Sequence, residues 1–288
     1  MSDQRDTLSA EWETHRPAVF GVAYRLLGSV ADAEDVAQEV WLRAAGADLA
    51  DVKDLRAWLV TVSARLSYDI LKSARARREA YVGPWLPEPL LTGPDASEPV
   101  LVDESVSSAI LLIMDELSPP ERVAFVLHDV FGIEFDRIAE MLELSAAAAR
   151  QSASRARRRV DKAKQSAPQA SNAERRRVLT TFRAAYEAGD MASLVRLLHP
   201  GAVYVTDGGG KVSAARKPIR GGERIAMVME RVGRQWRPDR IDLIEVGGEP
   251  ALVFYQQDGV YSVDTVQITD GVITAYRRVI NPDKLTHV

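Results

Sequence analysis

The chain has 288 residues, 46% hydrophobic and 27% charged, with a formal net charge of −4, a soluble globular composition long enough for two or three separate cores. It has no cysteine, which excludes disulfides and thiolate metal sites. Its four histidines, His15, His128, His199 and His287, have no ligand-like spacing, so no metal and no cofactor is expected. The first residues lack an apolar leader and no run approaches the ~20 residues that span a bilayer, which predicts a cytoplasmic protein with no membrane partner.

In chain order, residues 1–54 carry eleven acids against five bases, residues 55–80 six bases against two acids, and residues 150–164 seven bases against one acid. The alternation suggests two kinds of partner surface, one of them phosphate, with solvated helix faces as the plainer alternative. HRPAVFGVAYRLLG reads as a helix closed by Gly28. In SVADAEDVAQEVWLRAAG, Val36, Val40 and Trp41 form the inner stripe, and Asp32, Glu34, Asp35, Glu39 and Arg43 lie outside. In the next helix Trp58, Val62, Leu66 and Ile70 recur every four residues and are assigned to the buried face, with Thr61, Arg65, Tyr68, Asp69 and Lys72 opposite.

GPWLPEPL, residues 83–90, follows. Three prolines, a tryptophan and two leucines make an unusual linker, because exposed apolar side chains tend to find a partner surface. Residues 91–104 read as loop. A second helical block begins near residue 105, where Ser118, Pro119, Pro120 and Glu121 make a good helix start. FDRIAEMLELSAAAARQSASRARRRV then has the proportions of a helix-turn-helix. Phe135, Ile138, Ala139 and Leu142 mark a scaffold helix, Glu143 and Leu144 the turn, and Ser145 the cap of a second helix poor in apolar bulk. Arg150, Gln151, Ser154, Arg155 and Arg158 recur on one side of that second helix. This is the chemistry of major-groove reading, although an Ala-rich helix packed in a bundle has the same composition.

Together these segments resemble bacterial sigma factors of the extracytoplasmic-function class. DAEDVAQEVWLRA, within 17–80, resembles the polymerase-binding helix of region 2, and 105–163 resembles region 4. WLPEPL, DGGGK (207–211) and NPDKL (281–285) resemble motifs of the sigma-J-type subgroup, which carries a fused C-terminal domain. The resemblance implies that Asp35, Gln38, Glu39, Leu42 and Arg43 face the β′ clamp helices of core RNA polymerase. It implies that Arg56, Arg65, Tyr68 and Lys72 take the −10 element, where unstacked bases need apolar surface and phosphates need cations. Region 4 would read the −35 element and meet the β flap.

Residues 172–288 change character. AERRRVLTTFRAAYEAGDMASLVRLLHP reads as two helices parting at Gly189-Asp190. Short alternating runs with Gly-rich turns follow, interrupted by the helix GGERIAMVMERVG, and are expected to form a curved antiparallel sheet. The pattern resembles the nuclear-transport-factor-2-like cone of the SnoaL-like group. Such cones enclose a pocket, for which His199, Tyr204, Asp207, Tyr255, Asp264 and Tyr276 are candidate polar linings, and Asp207 to Gly210 reads as a hairpin turn.

The expected architecture is multi-domain: two all-α sigma domains followed by an α+β cone, with region 2 at 1–82, a linker at 83–104, region 4 at 105–166 and the cone at 172–288. The expected function is that of a non-enzymatic sigma factor that directs core polymerase to promoter DNA under stress. The cone would act as built-in regulator in place of a separate anti-sigma factor. Its regulatory contacts would be Trp85, Leu86, Pro87, Glu88 and Pro89 with Asp207, Gly208, Gly209 and Gly210 and with Asn281, Pro282, Asp283, Lys284 and Leu285. The alternatives are a ligand-responsive helix-turn-helix repressor, and a cone that retains small-molecule binding or catalysis.

Overall fold

The computed structural model describes residues 2–79, 81–93, 107–166, 170–257 and 259–288, which form two compact units. The first unit joins residues 2–79 with 110–163, so both helical blocks belong to one body. The second joins residues 81–93 and 107–109 with the chain from 164 onward. The whole Pro-rich stretch 83–90 therefore belongs with the C-terminal domain; residues 94–104, the rest of the expected linker and loop, lie outside the described residues.

In the first unit α1 (Ser2–Leu27) ends at Gly28, whose φ of 67° is the left-handed conformation glycine adopts without cost. Ser29 then caps α2 (Val30–Gly46) by accepting from the Asp32 N–H at 3.1 Å. Asp54 does the same for α3 (Leu55–Glu79), taking the Ala57 N–H at 2.9 Å. Val19, Phe20, Val22, Ala23 and Leu26 of α1 pack on Val36, Ala37 and Val40 of α2 and on α3.

The buried face of α3 differs from the expected one. Leu59, Val60, Ser63, Ala64, Ser67 and Leu71 are buried, whereas Trp58, Val62, Leu66 and Ile70 are only half-buried on the flank. The reason is close approach. Ser63 and Ala64 are small, and the Ser63 hydroxyl donates to the Val19 carbonyl of α1 at 2.8 Å, so the polar atom is satisfied as it is buried. Trp41 likewise is half-buried, with its ring 5.2 Å from that of Trp12.

α4 (Ser108–Asp115) leads to α5 (Pro119–Phe125), whose start is a capping box of Ser118 and Glu121. A wider turn at Val126–Val130 follows. α6 (Phe135–Leu142) ends at Glu143, which holds a left-handed φ of 57°. Ser145 then caps α7 (Ala146–Ser166), accepting from the Ala148 N–H at 3.1 Å. α6 and α7 are thus the expected helix-turn-helix. α5 is tied to α1 by buried Arg122, whose Nε donates to the Arg25 carbonyl at 3.2 Å and whose other arm meets Asp115 at 3.1 Å.

In the second unit α8 (Asn172–Ala188) breaks at Gly189, Asp190 caps α9 (Met191–Leu197), and β1 (Leu198–Asp207) follows. Then come β2 (Ile219–Arg220), α10 (Gly222–Gln235), β3 (Arg240–Val246), β4 (Glu249–Gln256), β5 (Gly259–Thr269) and β6 (Val272–Val279). The sheet order is β2-β1-β6-β5-β4-β3. Register shifts interrupt the β1/β6, β4/β5 and β5/β6 ladders, and irregularities of this kind bend a strand.

Two details correct the expected sheet. β1 runs parallel to β6, and β2 is an extra two-residue strand. Hairpin chemistry such as Gly247-Gly248 and Asp270-Gly271 dictates the antiparallel meander β3–β6, but β1 enters from a helix and no turn fixes its direction. One sheet face packs Tyr204, Leu252, Phe254, Val266, Ile268 and Tyr276 against Val178, Leu179 and Phe182 of α8 and Ile225 and Met229 of α10. Among the described residues no helix is long and apolar enough to cross a membrane.

Candidate functional site

The opposite face of the sheet carries the Pro-rich stretch. Leu86, Pro87 and Pro89 line a narrow recess with Val263, Thr265, Arg277 and Val279 of β5 and β6, and residues 86–90 are all buried. The stretch also has β character that its prolines conceal. Leu91 forms an antiparallel bridge with Val246 at the free edge of β3, Thr92 N–H donates to the Glu245 carbonyl at 3.2 Å, and Gly247 N–H donates to the Leu90 carbonyl at 2.9 Å.

Asp207, fully buried at the end of β1, organises the other end. It accepts from the Tyr81 hydroxyl at 2.6 Å, the Leu86 N–H at 2.8 Å, the Lys284 ammonium at 2.8 Å and the Gly209 N–H at 3.0 Å. Lys284 also donates to the Leu86 carbonyl at 2.6 Å and lies 4.3 Å above the half-buried Trp85 ring. Asn281 donates to the Tyr81 oxygen at 3.0 Å, and Lys211 meets Asp283 at 2.5 Å. Pro282–Lys284 form one turn that brings Lys284 and Leu285 inward.

DGGGK makes a tight turn inside the longer connection from β1 to β2: the Lys211 N–H donates to the Gly208 carbonyl at 3.0 Å across Gly209 (φ 59°) and Gly210 (φ 73°), so positive φ and close approach both call for glycine. A Cβ on Gly209 (φ 59°) would come within 2.3 Å of Asn281, and one on Gly208 within 2.7 Å of Ala214. Burial, followed by the bond to Asp207 and its charge, holds the Tyr81 phenol well above its ordinary pKa. Tyr81 and the Leu91–Thr92 edge contact were not among the residues singled out in the sequence.

Inside the domain, Tyr204, Asp264 and Tyr276 come together, whereas His199 is exposed, Tyr255 packs under Arg240, and Asp207 faces the linker. Asp264 is consumed by its neighbours. Arg278, directly opposite on β6, donates to both its oxygens at 2.8 and 2.9 Å, and the Tyr276 hydroxyl donates to it as well. Burial opposes the charge of Arg278, yet Asp264 raises its pKa overall; burial and then Asp264 hold Tyr276 well up. A carboxylate so engaged is no general base. Arg278 carries no sequence motif; its place on the inner face of β6 is its only signal.

On α2, Asp35, Gln38, Glu39, Leu42 and Arg43 share one face; Leu42 is 65% exposed at its centre, and Arg43 pairs with Glu39 at 2.8 Å. On α3, Arg65, Tyr68 and Lys72 lie together, with the Lys72 ammonium 4.0 Å above the Tyr68 ring, beside the half-buried Trp58–Val62–Leu66 flank. Arg56, nine residues before Arg65 and so half a turn away, points its guanidinium over the Phe131 ring at 6.0 Å. On α7, Arg150, Gln151, Arg155 and Arg158 are exposed and Ser154 is half-exposed, opposite the buried Ala149, Ala153, Ala156 and Val160. Arg155 meets Glu121 at 3.1 Å and Arg150 covers the Phe135 ring at 5.5 Å. Burial works against the charge of Glu121, but hydrogen bonds from Ser118 and the charges of Arg159 and Arg155 lower its pKa overall.

The family description sigma-70 region 2 matches residues 12–77, and sigma-70 region 4 matches residues 107–160. The chain is 38% identical over 290 residues to the ECF RNA polymerase sigma factor SigJ of Mycobacterium tuberculosis, covering 96% of this chain and 93% of that one. It is 32% identical over 291 residues to a probable ECF RNA polymerase sigma factor SigI of the same species, covering 98% and 96%. The crystal structure of Mycobacterium tuberculosis SigJ superposes with a TM-score of 0.79 at 36% identity, over 97% of this chain and 98% of that one. With both sigma regions, the fused α+β domain and full-length similarity in one chain, this protein belongs to the ECF RNA polymerase sigma factor family.

Proposed function

We propose that this chain gives core RNA polymerase its promoter specificity in the cytoplasm, and that its C-terminal domain regulates it in cis by withholding the linker between regions 2 and 4. The observation that carries the regulatory part is the buried Asp207, which binds Tyr81, the Leu86 backbone and Lys284 at once. Tyr81 follows the end of α3 by two residues, so the clamp begins where region 2 ends. Proline stiffness lowers the entropy lost when the stretch is fixed on the sheet. Polymerase binding and sheet binding then compete for one segment, a two-state arrangement biased by which partner binds it better. A separate anti-sigma factor is unnecessary in this scheme.

The acidic face with exposed Leu42 on α2 suits the β′ clamp helices, which a repressor has no need to meet. The α3 group Arg65, Tyr68 and Lys72 suits the −10 element and the exposed α7 face suits the −35 element, with the β flap as region 4's protein contact. The test is run-off transcription with limiting core polymerase, using the full chain and its Asp207→Ala variant. The full chain directs initiation from one promoter, and the variant raises the yield several-fold at the same start site. A wild-type chain that never directs initiation sinks the sigma assignment to this chain; equal yields from both sink the withholding mechanism alone.

A further inference from the structure

Between residues 216 and 240 the chain holds seven arginines and one lysine against three acids, although its overall charge is −4. Arg216, Lys217, Arg220, Arg224, Arg231 and Arg237 are exposed, and among the described residues none of these six forms an ion pair. The two remaining cations are engaged, Arg234 with Glu230 and Arg240 with Asp242. Three of the six lie along β2 and α10. β2 delivers Arg220 to the start of α10, Arg224 and Arg231 are two turns apart on the helix's exposed side, and Ile225, Ala226 and Met229 take the core side. Fourteen residues of helix extend about 21 Å.

We propose that this basic face of α10 binds the phosphate backbone of duplex DNA, without reading sequence, and adds a third DNA contact to those of regions 2 and 4. The inference rests on the sigma-factor reading, which brings DNA to the same polypeptide and so raises its effective concentration at the C-terminal domain. Unpaired arginines on a chain of opposite net charge are the composition of phosphate recognition, since a guanidinium fork matches phosphate oxygens. About 21 Å corresponds to roughly six base pairs, within which several phosphates lie in reach of these long side chains. Met227, 58% exposed amid the arginines, is the feature an acidic protein partner would use instead.

The test is holoenzyme binding to a promoter duplex, and to the same duplex with scrambled −10 and −35 elements, over a potassium chloride series. The variant R220Q/R224Q/R231Q should lower the slope of log Kobs against log salt by about 2–3, because each lost phosphate contact removes about 0.9. It should weaken both DNAs by the same factor, and R220K/R224K/R231K should keep the slope. A flanking set, R216Q/K217Q/R237Q, lies off the helix core and gives a second, independent reading should the first variant fold poorly. Unchanged slopes in both sets overturn the proposal, as does an unchanged slope with weakened core-polymerase binding, which assigns the face to a protein. Wild-type run-off transcription in the same samples separates this failure from failure of the sigma assignment.

Discussion

Two buried carboxylates in the C-terminal domain are each met by a cation and a tyrosine hydroxyl, and they serve different ends. Asp264 binds Arg278 and Tyr276 from the neighbouring strand, fourteen and twelve residues away. Asp207 binds Lys284 and Tyr81, which are 77 and 126 residues away. Arg278 grips Asp264 through a planar fork within the core, whereas Lys284 offers Asp207 a point charge near the surface, where it is 8% exposed. The first cluster is part of the domain's interior. The second fastens a segment that can leave while the domain stays folded.

The largest expected effect comes from breaking the interior pair. Asp264→Ala leaves Arg278 buried and uncompensated, at a cost of about 3–5 kcal/mol, so the C-terminal domain should lose its thermal transition or shift it far down. Differential scanning calorimetry of the full chain reads this directly. An unshifted transition would mean that Arg278 finds water, and that the two clusters do not differ in depth.

Asp207→Ala should cost less, about 1.5–3 kcal/mol, because Lys284 can swing into solvent. The loss should appear locally. Amide hydrogen exchange at Leu86 and Thr92 speeds up, while strands β4–β6 keep their protection. Equal deprotection of linker and strands would make the Asp207 cluster as structural as that of Asp264, and would remove the idea of a releasable segment.

How much of this was legible follows the range of the physics. The helix-turn-helix could be read because its signals are local: the Ser145 cap and the small residues of α7. The exposed faces of α2 and α7 followed from helical spacing for the same reason. The buried face of α3 was misread because spacing weighs apolar bulk, and the actual contact is made by Ser63 and Ala64, which only a neighbouring helix rewards. The motifs WLPEPL, DGGGK and NPDKL, and the expectation that the linker meets the other two, come from the resemblance to a subgroup, but their convergence on one carboxylate depends on a sheet that runs β1 parallel to β6. Tyr81 and Arg278 carry no local mark at all, since an isolated tyrosine or arginine is ordinary until a buried charge lies opposite.

The smallest expected effect, and the finest separation of the two clusters, is that of Tyr81→Phe. This change removes one hydroxyl that donates to Asp207 and accepts from Asn281, at a cost of about 1–2 kcal/mol to linker docking. The folded linker holds the Tyr81 phenol above its free value, through burial first and Asp207 second. A group whose pKa is raised on docking contributes its full stabilisation below the free value and loses it as pH rises through the docked one. The difference in linker protection between wild type and Tyr81→Phe should therefore be constant up to about pH 9, near the foot of an ordinary tyrosine titration, and shrink above about pH 10. Tyr276 is raised as well, yet it titrates with the domain as a whole and moves strand protection, not the linker alone. A difference that persists undiminished at pH 11 would show that Tyr81 stabilises the docked linker by packing, and that Asp207 is held by Lys284 and the Leu86 amide without it.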